Sequence, residues 1–101
     1  MEGAHVYTSV IANDFKPGTA QTVIQRIEDG IVPELKGQPG FQHYRAIQSG
    51  ADAFVTIIDY DTEAHAEASF RHMAAVMRQQ LDDLLEGMQR YAGPVLHSEA
   101  P

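Results

Sequence analysis

The sequence predicts an α+β domain in which two helices cover one face of a four-stranded antiparallel sheet. Three observations carry this. Short runs rich in β-branched and aromatic residues alternate with two longer stretches of helical periodicity. The breaks between them are Pro-Gly or Gly-rich. The order that results is β-α-β-β-α-β, with only a tight link between the two middle strands.

Phe54–Tyr60 (Phe-Val-Thr-Ile-Ile-Asp-Tyr) is the most strongly marked strand. One parity carries Phe54, Thr56, Ile58 and Tyr60, the other Val55, Ile57 and Asp59. The two parities of a strand face opposite sides of a sheet, and neither set here is cleanly polar. Such a strand calls for cover on both sides.

The first strand is expected over His5–Asn13, with Val6, Thr8 and Val10 on one face and Tyr7, Ser9 and Ile11 on the other. Pro17-Gly18 ends it in a turn, and Thr19 is placed to cap a helix by accepting an orphan backbone N–H. Val23, Ile24, Ile27, Ile31 and Leu35 form the apolar stripe of that helix. Gly30 and Pro33 interrupt it, and proline removes a backbone donor, so a kink or a restart is expected.

Gly37-Gln38-Pro39-Gly40 is the second break, followed by a strand over Phe41–Gln48 and a hairpin link at Ser49-Gly50-Ala51-Asp52. Thr62 or Asp61 caps a long helix expected to reach Glu86. Its stripe is Ala66, Phe70, Met73, Ala74, Met77, Leu81, Leu84 and Leu85, with Gly87 at the left-handed C′ position. A last short strand is expected within Tyr91–Ser98, at an edge, because Pro94 cannot donate to a ladder. The whole is ferredoxin-like, one domain over residues 1–101. Two helices leave one apolar sheet face uncovered, and a second copy packed face to face under two-fold symmetry is the economical cover. A homodimer is therefore expected.

Composition narrows the partners. Seven basic against fourteen acidic residues give a net charge of −7, which repels nucleic acid. No basic amphipathic stretch suits a membrane surface. The chain has no cysteine, hence no disulfide and no thiolate nucleophile or ligand. With no long apolar run and no leader pattern in Met-Glu-Gly-Ala-His, a cytoplasmic protein is expected.

Pro17-Gly18-Thr19-Ala20 before the first helix, Pro39-Gly40-Phe41 entering the second strand, and Ile57–Ala64 running into the second helix resemble the antibiotic biosynthesis monooxygenase superfamily. The resemblance spans nearly the whole chain. It implies a dimeric α+β barrel with a cavity in each protomer between sheet and helices. Members include cofactor-independent oxygenases of polycyclic aromatics, quinol oxygenases, haem-degrading oxygenases and many proteins without a known reaction. The family commonly has Trp where the third strand ends; this chain has Tyr60 and no Trp. The Asn, Trp and His of the haem-degrading branch fall near Ile11, Ser69 and Gln79, so haem degradation by that arrangement is not expected. Asn13 and His72 are the nearest residues of those types in a shifted register.

Among candidates for chemistry, His43 and Arg45 share a strand parity with each other and, in a regular strand, with Phe41 and Ile47. If that parity faces the cavity, imidazole and guanidinium stand roughly 7 Å apart on one wall, able to stabilise a phenolate or enolate. Otherwise they are ordinary polar residues at the solvent or at the dimer seam. Tyr60 joins them as a candidate catalytic residue, with Tyr7, Phe41, Phe70 and Met73 as candidate substrate contacts. The tyrosines and methionines of these stretches equally suit packing. His65 and His72 stand two helical turns apart without convergent carboxylates, so no metal site is expected. Asp82, Asp83 and Glu86 read as a solvated acidic face.

Two functions fit. One is a monooxygenase without bound cofactor, acting on a small electron-rich aromatic such as a quinol or polyphenol. The other is a non-catalytic dimeric module that binds an apolar ligand or serves as a structural partner. A cavity of roughly 300 Å³ or more beside Tyr60 is the expected mark of a ligand site.

Overall fold

The computed structural model describes residues 6–101, so the expected strand start at His5 lies outside the described residues. Strands β1 (Tyr7–Phe15), β2 (Phe41–Gly50), β3 (Ala53–Tyr60) and β4 (Leu85–Pro94) form one sheet. Its order is β2-β3-β1-β4, and every pairing is antiparallel. The helical segments are α1 (Ala20–Arg26), a π-helical turn (Ile27–Ile31), α2 (Val32–Lys36) and α3 (Glu63–Leu81). This is the ferredoxin-like βαββαβ arrangement, with the first helix running as α1, π turn and α2. None of the described helices is long and apolar enough to cross a membrane.

The core forms where strand parity meets helix stripe. Ser9, Ile11, Asn13 and Phe15 of β1 and Phe54, Thr56, Ile58 and Tyr60 of β3 are buried on the helix side. Opposite them lie Val23, Ile31 and Leu35 and, from α3, Ala66, Ser69, Met73 and Leu81. Phe15 and Phe54 meet at 6.1 Å between ring centroids. The interruption expected at Gly30 and Pro33 is the π turn, with Pro33 opening α2, where its missing N–H is tolerated. A Cβ at Gly30 would overlap the end of the Gln80 side chain, so the π turn and α3 meet closely here. Arg26 reinforces that contact, donating to the Gln80 carbonyl at 2.9 Å and to Asp83 at 2.8 Å near the C-terminus of α3.

Four local expectations need correction. Thr19 occupies the N-cap position, but its hydroxyl donates to the Lys16 carbonyl at 2.6 Å. The orphan donors go instead to Asp52 of the β2–β3 link, whose carboxylate accepts from Gly18, Thr19 and Ala20 N–H at 3.0–3.1 Å. An acidic side chain distant in sequence outcompetes the local hydroxyl because it takes three donors at a positive helix end. Asp52→Ala is therefore expected to cost about 2 kcal/mol in urea unfolding, and Thr19→Ala clearly less.

The second correction is the end of α3, at Leu81 rather than Glu86. Leu84 and Leu85 fit a helical stripe and a strand equally well. Pairing with β1 decides in favour of β4 from Leu85 on, with Leu84 in the turn before it, and Gly87 lies inside that strand without positive φ. The third follows from it: the last strand starts at Leu85 rather than near Tyr91, with Pro94 at the end of an edge strand as its missing donor requires.

The fourth correction concerns β2. Phe41 pairs with Tyr60, but His43 pairs with Asp59 and Tyr44 with Ile58, so Gln42 is an extra residue in a bulge. A one-residue slip exchanges the two faces. Phe41 and Tyr44 thereby share the helix side. His43, Arg45 and Ile47 share the open side with Val55, Ile57 and Asp59 of β3 and with Val10 of β1.

Candidate ligand cavity

Between the sheet and the helices lies a cavity of about 290 Å³, close to the roughly 300 Å³ at which small-molecule sites begin. Its walls are mainly apolar: Ile11 and Ile58 from the sheet, Ile27, Ile31 and Leu35 from the first helical stretch, Phe70, Met73 and Met77 from α3. The helix stripe and the strand parity that build the core also line the cavity, because the core does not close completely over the centre of the sheet.

Polar groups enter this lining sparsely. Tyr60 is 2 % exposed, and its hydroxyl and the Ser69 hydroxyl are hydrogen-bonded at 2.7 Å. Burial raises the Tyr60 pKa, while the Ser69 bond and the Arg90 charge pull against that rise. Tyr44 reaches the cavity from β2, and burial pushes its phenol up to about 12. Both are therefore neutral donors at neutral pH. Ser9, Asn13 and Thr56 contribute from the sheet; the Thr56 hydroxyl reaches the Ile11 carbonyl at 3.5 Å. Arg78 and Asp82, both exposed, also contribute to the lining from the C-terminal end of α3.

One wall is braced by an ion pair that no spacing in the chain singles out. Arg90 of β4 holds both carboxylate oxygens of Glu67, at 3.2 and 2.8 Å, and donates from Nε to Ser9 at 3.1 Å. Its guanidinium lies 4.1 Å from the centroid of the Phe70 ring, a cation–π contact that fixes a lining aromatic. Hydrogen bonding by Arg90 holds the Glu67 pKa below its ordinary value. A depressed folded-state pKa means stability that is present above the unfolded pKa and lost as pH falls through the folded one. Glu67→Gln is thus expected to cost about 1 kcal/mol at neutral pH, a figure already discounted for partial solvent exposure. The gap between wild type and variant should close as urea midpoints are followed down through the acidic range.

The sequence-derived candidates divide cleanly. Tyr60, Phe70 and Met73 line the cavity. Tyr7 and Phe41 pack against the core beside it without lining it. Burial raises the Tyr7 pKa, and the neighbouring Glu63 and Glu67 charges add to this. His43 and Arg45 are exposed on the opposite side of the sheet, which corrects the expectation that they form a cavity wall. The cause is the bulge at Gln42. His65 is hydrogen-bonded to Asp61 at 2.7 Å and His72 approaches Glu34 at 3.4 Å, both away from the cavity. Asn13, Tyr44 and Arg90 are the residues the sequence reading passed over as site residues. For Asn13 a signal existed: it is polar on the same parity as Tyr7, Ile11 and Phe15.

Comparison with known proteins places this geometry. None of the curated proteins matches the chain. Among solved structures, a Nitrosomonas europaea protein of unknown function superposes with a TM-score of 0.81 at 17% identity, covering 97% of this chain and 96% of its own. A Streptomyces coelicolor monooxygenase, solved in complex with the ligand nanaomycin D, superposes with a TM-score of 0.78 at 18% identity, over 97% and 94% of the two chains. A Pseudomonas aeruginosa protein gives 0.74 at 17% identity, over 96% and 100%. At these identities the likeness is one of fold. The family model for antibiotic biosynthesis monooxygenases matches residues 6–79, well over half of the sequence, and the chain belongs to that family.

Proposed function

We propose that the protein is a homodimeric monooxygenase without bound cofactor, acting on a small electron-rich aromatic of the phenol or quinol class held in this cavity. The observation that carries the reading is an apolar chamber of small-molecule size whose few inward polar groups include two neutral phenols, Tyr44 and Tyr60. Apolar walls exclude water and hold a ring. Neutral phenols donate to a substrate oxygen and stabilise the negative charge it develops. An anionic phenol is itself the reductant of dioxygen. One oxygen atom becomes a ring carbonyl, and the other leaves as water with the two hydrogens the phenol gives up. Asp82 is the one carboxylate among the described lining residues and the group assigned here to accept the phenolic proton. The family and the Streptomyces coelicolor monooxygenase support this class of reaction.

The dimer is proposed from the sheet. Val10, Val55, Ile57, Ile47 and Tyr91 form an apolar strip on the face away from the helices, with Ile47 and Tyr91 51% and 61% exposed. A two-fold related copy buries this strip against itself. His43 and Arg45 then stand at the seam.

Oxygen uptake with a panel of hydroxylated aromatics tests the enzyme. The expected result is turnover of at least one phenol or quinol, abolished by Ala74→Phe, which fills the chamber from α3. If no panel member consumes oxygen while a ligand still binds in the chamber, the oxygenase reading falls. The non-catalytic ligand-binding module of the same fold then stands in its place.

A further inference from the structure

The chamber meets solvent at one end. Of its described lining residues only Arg78, Asp82 and Met88 are exposed, and the remainder are buried or half-buried. Arg78 and Asp82 stand one turn apart at the C-terminal end of α3, and Met88 lies early in β4. The opening is therefore the slot between the end of α3 and the start of β4. Further along β4 the same slot is closed. Arg90, two residues on and on the same parity as Met88, crosses to Glu67 and Phe70 of α3. Met88 makes no such bridge and is 48% exposed, the one apolar side chain of the rim.

An apolar residue at such an opening has an ordinary use, as packing for whatever passes it. Its sulfur gives Met88 a second property. Three methionines line the chamber at graded depth: Met73 is 7% exposed, Met77 half-buried and Met88 the most open. Oxidation of a thioether by peroxide needs access to the sulfur, so the three should react in that order from the outside in. The dimer proposed above leaves the order unchanged, because its strip lies on the other parity of β4, at Tyr91.

We propose that Met88 is a site of reversible oxidation, and that its sulfoxide shuts the chamber to apolar molecules. The sulfur lone pair attacks one oxygen of hydrogen peroxide and the O–O bond breaks. An S=O bond forms, and the other oxygen leaves as water with both hydrogens. Sulfur gives up two electrons and peroxide takes them. The sulfoxide replaces the rim's one apolar side chain with a strong hydrogen-bond acceptor, and with Arg78 and Asp82 it makes the rim wholly polar. A hydrated rim must be stripped of water before an apolar molecule passes it or rests against it. Methionine sulfoxide reductases undo the change, so a reductase of that class is the partner this site would take. The effect on binding rests on the reading of the chamber as a ligand site. An oxygenase there adds a local source of oxidant: a quinol that gives two electrons and two protons to dioxygen, without oxygen transfer, releases peroxide at this slot.

The test treats the full chain with a limiting dose of hydrogen peroxide and then desalts it. Peptide mass spectrometry locates the added oxygen, and titration with N-phenyl-1-naphthylamine, an uncharged fluorescent probe, reads the chamber. Oxygen is expected on Met88 roughly fivefold ahead of Met77 and further ahead of Met73. Protein oxidised at Met88 should bind the probe about fivefold more weakly, and a methionine sulfoxide reductase should restore binding. Met88→Gln, with a polar group at similar reach, should start out as weak as the oxidised protein. Met88→Leu has no sulfur to oxidise there and, whatever its starting affinity, should bind the probe equally before and after treatment. Three results overturn the proposal: Met77 or Met73 reacting as fast as Met88, complete oxidation of Met88 with probe binding intact, or Met88→Leu losing binding on treatment as wild type does. A probe that fails to bind untreated protein sinks the chamber as a ligand site, and its closing with it. Absence of oxygen uptake by any phenol removes the oxygenase alone, because the peroxide here is supplied from outside.

Discussion

Gly40→Ala is expected to lower stability by about 3 kcal/mol and the melting temperature by roughly 15 °C, far more than the same change at Gly18. Both glycines have positive φ, +78° at Gly40 and +81° at Gly18, so each substitution carries the left-handed cost of about 1 kcal/mol. They differ in what a new methyl group meets. At Gly18 nothing lies within 4 Å. At Gly40 the methyl overlaps the Asp61 carboxylate and the His65 side chain. Those two residues are hydrogen-bonded to one another at 2.7 Å, and His65 N–H donates to the Thr62 cap at 3.1 Å. Displacing them disturbs the first turn of α3, the helix that carries Ser69, Phe70, Met73 and Met77. Binding of hydroxylated aromatics in the chamber should therefore weaken in Gly40→Ala and stay unchanged in Gly18→Ala. Equal losses of stability at the two positions would show that the left-handed conformation accounts for everything and that the contact with α3 is worth nothing.

The pair also shows how far local sequence reaches. Gly40 sits in a break that any reading of Gly-Gln-Pro-Gly recognises, yet its neighbours Asp61 and His65 arrive from 21 and 25 residues further on. Element order and helix stripes were legible throughout, because each depends on periodicity inside one segment. What failed depended on a second segment. Thr19 looked like a cap until Asp52 of the β2–β3 link accepted three hydrogen bonds there. Leu85 extended a helix pattern until β1 offered it a strand partner.

The candidate site was legible to the same degree. Tyr60, Phe70 and Met73 lie on patterns without irregularity, and all three line the chamber. His43 and Arg45 lie just past a bulge that no periodicity announces, and one extra residue carried both to the other side of the sheet. Asn13 stood on the right parity, but at the presumed end of its strand, where an asparagine is ordinary. Only its burial and missing partner distinguish it, and neither can be read from residue type.

Ile57→Lys should convert the proposed dimer to monomer. Ile57 lies in the middle of the open face, paired with Val10 on one side and Arg45 on the other, with Tyr91 next beyond Val10. In a face-to-face dimer each copy buries an ammonium among apolar side chains and beside a guanidinium. A cost of about 3 kcal/mol per copy, counted twice by two-fold symmetry, weakens association roughly 10⁴-fold. Sedimentation at micromolar concentration should show wild type at twice the mass of the 11.1 kDa chain and the variant at that mass. Gln79→Lys, an exposed position on α3, adds the same charge away from the face and should leave association intact. The dissociated variant should also be less stable, since the strip of Val10, Val55, Ile57 and Tyr91 then faces water. Its chamber, built within one chain, should still bind the hydroxylated aromatics of the oxygen-uptake panel. A wild-type protein that sediments as a monomer would remove the dimer and leave the chamber untouched, because no lining residue comes from the open face.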